Sequence, residues 1–170
     1  MTRVRFRPSG PLAFEPQCPL DKRSDAMADE EKFYRKFRKR ILAWAETEEG
    51  RNHKWAEILM AGPDLFYLLW CLTLDSDVPP AHKLKLIGAL AYFISPIDLL
   101  PEAFLGPIGY LDDIALAAYV LNELVNQSDP ELIRRHWAGD GDALDLIRKI
   151  LGAADQMVGG GLWDRIKKHL

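Results

Sequence analysis

From residue 86 to residue 122 the chain has no lysine or arginine, and its only charges are Asp98, Glu102, Asp112 and Asp113. An apolar segment that accepts carboxylates and excludes cations constrains the fold strongly, because each acid must have a specific place. The segment is entered by apolar residues at helical steps, with Leu84, Ile87, Leu90, Ala91 and Ile94 on one side of a helix predicted over 80–94. Ser95-Pro96-Ile97-Asp98 then has the form of a helix start. Ser95 is the cap, Pro96 takes the first helical position, and Asp98 reaches back to the Ser95 amide. Pro101 and a loop over 106–109 follow. Tyr110 opens a second apolar helix to about residue 125, with Asp112 and Asp113 in its first turn, where the dipole favours anions.

The rest of the chain reads as helix throughout. Residues 1–25 hold four prolines and a glycine without periodicity, a flexible arm. Arg3, Arg5 and Arg7 there lack the apolar run and cleavage site of a secretory signal. Order is expected from Asp25, where Phe33, Phe37, Ile41, Trp44 and Ala45 mark an amphipathic helix to about residue 48, ended by Gly50. Its other face carries Lys32, Arg35, Lys36, Arg38, Lys39 and Arg40. A short helix over 52–61 is expected to stop at Gly62-Pro63. A second one over 63–74 is apolar nearly all round, so it belongs at the centre of a bundle or against lipid. Ser128-Asp129-Pro130-Glu131 starts a helix to His136-Trp137, and residues 139–142 lead into another bearing Leu144, Ile147, Ile150, Leu151, Ala154 and Val158. Gly159, Gly160 and Gly161 form a hinge before a short amphipathic turn over 162–170. With no strand pattern, the expected fold is all-α: a compact bundle of six or seven helices over 26–158, built around a central apolar helical hairpin.

Bulk properties set outer limits. At 170 residues the chain suits one domain, and 48% hydrophobic with 28% charged residues is ordinary for a globular protein. A net charge of -3 with a pI near 5.8 argues against nucleic-acid binding through overall charge. Cys18 and Cys71 are far apart in unlike contexts and form no CxxC, which points to a reducing compartment without disulfide or zinc.

The run Tyr92-Phe93-Ile94-Ser95-Pro96-Ile97-Asp98-Leu99-Leu100-Pro101-Glu102, followed by Gly109-Tyr110-Leu111-Asp112-Asp113, resembles the YkvA-like family, domain of unknown function 1232. The signature covers 83–125, and the flanking helices are similar to those of longer bacterial members. Glu102 departs from the family's usual Asp, which keeps the charge on a longer arm. The resemblance implies a fold neighbourhood and a tendency to membrane association through the apolar hairpin, and it implies no enzymatic activity.

Two chemistries compete for the motif. Asp98, Asp112 and Asp113 lie at opposite ends of one short connection, where converging oxygens can hold Mg²⁺ or Ca²⁺ and support metal-assisted hydrolysis. The favoured reading is that each acid is a helix cap or first-turn anion satisfying amides in a tight apolar corner. No His, Cys or Lys lies inside the motif to serve as nucleophile or base, so a non-catalytic role is favoured. Asp140, Asp142 and Asp145 lack the glycine and distal glutamate of a calcium loop and read as helix-start acids. His136, beside Trp137 near a helix end, reads as a structural or exposed histidine, with pairing to an acid as the alternative.

Spanning a membrane is disfavoured. Residues 86–97 are uncharged for only 12 positions, short of the ~20 that a spanning helix needs. A span through the following helix would place Asp112 and Asp113 in hydrocarbon at roughly 2.5–3.5 kcal/mol each. Lying on an anionic membrane fits better: Lys32, Arg35, Lys36, Lys39 and Arg40 oppose an aromatic face, the make-up of an interfacial helix. The expected function is a non-catalytic, cofactor-free module on the cytoplasmic side, docking to a membrane surface or a helical protein partner. A soluble homo-oligomer joined through the helix over 65–74 is the remaining alternative.

Overall fold

The computed structural model describes residues 25–94 and 109–159, with single positions 161, 164 and 168, and side chains from residue 31 onward. Seven helices occupy the described residues: α1 (Asp25–Ala45), α2 (Glu48–Asn52), α3 (Ala56–Leu74), α4 (Pro80–Ile94), α5 (Leu111–Gln127), α6 (Glu131–His136) and α7 (Ala143–Val158). No strand occurs among them, and the fold is all-α. The arm over 1–24, the Ser95-Pro96 corner with Asp98 and Pro101, and most of the C-terminal turn lie outside the described residues.

The core is built on α3. Every residue from Leu65 to Leu72 is buried, and α3 packs against α1, α2, α4, α5 and α6. The α4–α5 hairpin closes over α3, and α7 lies along α5. Phe37 of α1 reaches the centre, where its ring lies 4.2 Å from Tyr110 and 5.9 Å from Phe93.

Two expected helix ends are not where the local signals put them. Gly62-Pro63 does not break the chain: α3 runs through both, with Pro63 inside the helix and buried. A proline in a helix interior costs ~3 kcal/mol through a lost hydrogen bond and a ring clash. Burying each large apolar side chain returns about 1.5–3 kcal/mol, and α3 buries Ile58 and Leu59 before the pair and Leu65–Leu72 after it in the same core. Tertiary burial therefore wins over local propensity. Gly62 serves the packing, since a Cβ there would sit 3.0 Å from Ile114 Cδ1 and 3.1 Å from Phe37 Cζ.

Gly50 does not end α1 either. The helix stops at Ala45, and Gly50 lies within α2. Thr47 caps α2 by accepting from the Gly50 amide at 3.1 Å, and its hydroxyl donates to the Trp44 carbonyl at 2.6 Å. A Cβ on Gly50 would fall 2.1 Å from that same carbonyl oxygen, so the α1–α2 corner closes only on glycine.

The later helix starts follow their sequence signals. Asp129 Oδ1 accepts from the Glu131 amide at 3.0 Å, and Asp142 caps α7 by accepting from the Leu144 and Asp145 amides. The Asp140–Asp145 cluster is thus a helix start, as its spacing indicates.

Candidate functional site

The carboxylates of α5 are the most unusual groups in the interior. Asp112 and Asp113 are the two buried charged residues among those described, each with no exposed surface. A turn of 3₁₀ helix at Gly109 and Tyr110 leads into them, and buried Tyr110 holds that turn against Phe37. From α4, the Tyr92 hydroxyl donates to Asp112 Oδ2 at 3.2 Å. Burial pushes the Asp112 carboxyl above its ordinary range, against the opposing pull of the Tyr92 hydroxyl and the Asp113 and Asp112 amides. Consecutive helical residues point about 100° apart, so this pair alone does not form one coordination sphere. Asp98, the third carboxylate expected for Mg²⁺ or Ca²⁺, lies outside the described residues. Among the described residues, no group of three or more His, Cys, Asp or Glu side chains is arranged to hold a metal ion.

The cationic face of α1 is displayed outward. Lys32, Arg35, Lys36 and Lys39 are exposed, with Arg38 and Arg40 partly covered. Phe37, Ile41 and Trp44 on the opposite side are buried in the core, so the aromatic face of α1 is spent on the bundle. Arg35 pairs with Glu31 at 2.6 Å along the helix. Arg38 turns inward, donating to Tyr34 at 3.1 Å and to Asp64 of α3 at 3.4 Å. Burial pushes Asp64 up to about 6, with Arg38 opposing the shift and Asp140 adding to it.

A second polar cluster fastens α6 to the α3–α4 turn. His136 Nε2 lies 2.6 Å from Asp75 Oδ2, and Arg135 bridges Asp75 at 2.6 Å and Asp77 at 2.8 Å. Burial works against the Asp75 carboxylate. Hydrogen bonds from His136, the Asp77 amide and Arg135 outweigh it and hold the group below its ordinary value. The His136–Asp75 contact joins two structural elements, in keeping with a structural histidine.

α4 shows what periodicity did not decide. Leu86, Ala89, Leu90 and Phe93 are buried against α3 and α5. Of the expected stripe, Leu90 joins the core. Leu84, Ile87, Ala91 and Ile94 face outward, with Leu84 73%, Ile87 52% and Ile94 42% exposed. By contrast α3, the one described helix long and apolar enough to cross a membrane, has 67% of its most apolar window buried inside the bundle.

This geometry falls on a recognised segment. Residues 82–119, from the first turn of α4 to the middle of α5, match the family described as "Protein of unknown function (DUF1232)". The chain carries a DUF1232 domain. Tyr92, Asp112, Asp113 and the outer face of α4 all lie within it. An uncharacterised protein, ORF9, from Methanothermobacter thermautotrophicus is 27% identical over 97 residues, covering 57% of this chain and 66% of that protein. Three relatives are described as E3 ubiquitin-protein ligase RNF170. The Xenopus laevis protein is 55% identical over 31 residues, 18% of this chain and 12% of its own length. The Danio rerio protein is 65% identical over 26 residues, 15% of this chain and 10% of its own. So short a match leaves the ligase activity in those names with those proteins. No solved structure matches this chain.

Proposed function

We propose that this DUF1232 protein is a non-catalytic helical module that attaches peripherally to an anionic membrane surface on the cytoplasmic side. The observation that carries the reading is the outward cationic face of α1. In a chain of net charge -3, Lys32, Arg35, Lys36 and Lys39 stand exposed within eight positions, while the aromatic side of the same helix is anchored in the core. Each such cation contributes about 1 kcal/mol when held near an anionic leaflet, and salt screens the attraction within a Debye length. The rigid bundle behind α1 fixes the four cations together, so attachment orders little new chain.

Reversing Arg35, Lys36 and Lys39 to glutamate tests this reading. All three are exposed, so the fold is expected to survive, which a thermal melt checks. Co-sedimentation with phosphatidylserine-containing vesicles at low salt is expected to fall by roughly tenfold or more, on the scale of several cations lost. Sedimentation equal to that of the unaltered protein would remove α1 from any attachment.

A further inference from the structure

Resting on the membrane reading above, we propose that the outer face of α4 (Leu84, Ile87, Ala91 and Ile94) enters the lipid, with α4 lying in the plane of the interface.

At 100° per residue the four side chains fall within an arc of about 80°. Leu86, Ala89, Leu90 and Phe93 occupy the opposite side, in the core. The exposed arc is continuous because Gly88, which lies beside it, is also exposed and adds no side chain. Lys83 borders the arc on one side, and α4 contains no acidic residue. A lysine at the border of an apolar face matches the layering of an anionic interface, where its stem runs along the apolar surface and its ammonium group stays among the headgroups. Lys85 lies about 100° beyond Leu84, outside the arc, and pairs with Glu123 of α5 at 2.8 Å.

Size favours lipid over a second protein. Three large side chains at these exposures offer on the order of 300 Å² of apolar surface, against the ~800 Å² per partner of a stable protein interface. A shallow lipid contact needs no such area, because the bilayer closes around whatever enters it. Full insertion of α4 is excluded by its inner face, which is committed to α3 and α5.

The test uses the full chain and single substitutions Leu84→Asp and Ile87→Asp. Leu74→Asp at the end of α3 is the control, since Leu74 is 40% exposed but lies off the stripe. Circular dichroism and thermal melts confirm folding. Flotation is run at high salt, which screens the α1 cations, with phosphatidylserine–phosphatidylcholine vesicles. The expected result is binding by the unaltered protein and by Leu74→Asp, and a loss of roughly tenfold or more in both α4 variants. If the unaltered protein binds at low salt and the α4 variants match it at both salts, α4 insertion is overturned and the α1 reading stands. If nothing binds at either salt, both fall. If light scattering without lipid shows a dimer that Ile87→Asp dissolves, the face belongs to a second copy and the lipid assignment is overturned.

Discussion

Tyr92, Asp112, Arg38 and Asp64 show how this bundle places charge in an apolar interior. Each carboxylate has one side-chain partner from a neighbouring helix, and burial still dominates both, raising their affinity for a proton. For Asp64 this has a defined pH signature. A carboxyl raised in the folded state, from 3.8 to about 6, contributes stability that is complete below its unfolded value and lost as pH rises through its folded value. Asp75 has the opposite sign: its depressed folded value contributes stability above the ordinary carboxylate range that is lost as pH falls. Comparing the protein with Asp64→Asn isolates the first effect. The stability difference, read from urea unfolding, is expected to shift against the unaltered protein by roughly 2–3 kcal/mol between pH 4 and pH 7 and to be flat above it. A pH-independent difference would mean that folding leaves the proton affinity of Asp64 unchanged.

At the scale of the elements, glycine reports on what surrounds each helix. Gly62 of α3 faces α1 and α5, and an added Cβ meets Ile114 and Phe37. Gly88 of α4 has nothing within 4 Å of such a Cβ. Gly62→Ala is therefore expected to destabilise by about 1–3 kcal/mol through overpacking, less any gain in helix propensity. Gly88→Ala is expected to stabilise by up to ~1 kcal/mol through propensity alone. Denaturant midpoints of the two variants should move in opposite directions. The same elements show how far sequence reaches. The starts of α6 and α7 were legible because Asp129 and Asp142 act locally on the first amides of those helices. The passage of α3 through Gly62-Pro63 was not, because the burial that overrides the break comes from helices distant in sequence. The orientation of α4 was not legible either. Leu84, Ile87, Ala91 and Ile94 form as good an apolar stripe as Leu86, Ala89, Leu90 and Phe93, and only packing on α3 and α5 selects between them.

The whole molecule combines three surfaces with different fates. The most apolar helix, α3, is enclosed, so the one described segment with the length and composition to cross a membrane serves as the core. The aromatic side of α1 is enclosed with it, which leaves that helix's cations facing outward beside Leu42 and Ala43. Asp112 and Asp113 were legible in sequence as first-turn acids. Their complete burial was not, because it depends on how Tyr92, Tyr110 and Phe37 close around the start of α5. A molecule of this kind is expected to reach a membrane from solution by electrostatics and to hold it by a shallow apolar contact. The most direct test is flotation of the purified, detergent-free protein with anionic and with neutral vesicles, each at low and at high salt. The account predicts strong binding to anionic vesicles at low salt, and a weaker apolar remainder of similar size on anionic vesicles at high salt and on neutral vesicles at either salt. Equal, salt-independent binding to both vesicle types, or no binding to any, would contradict it.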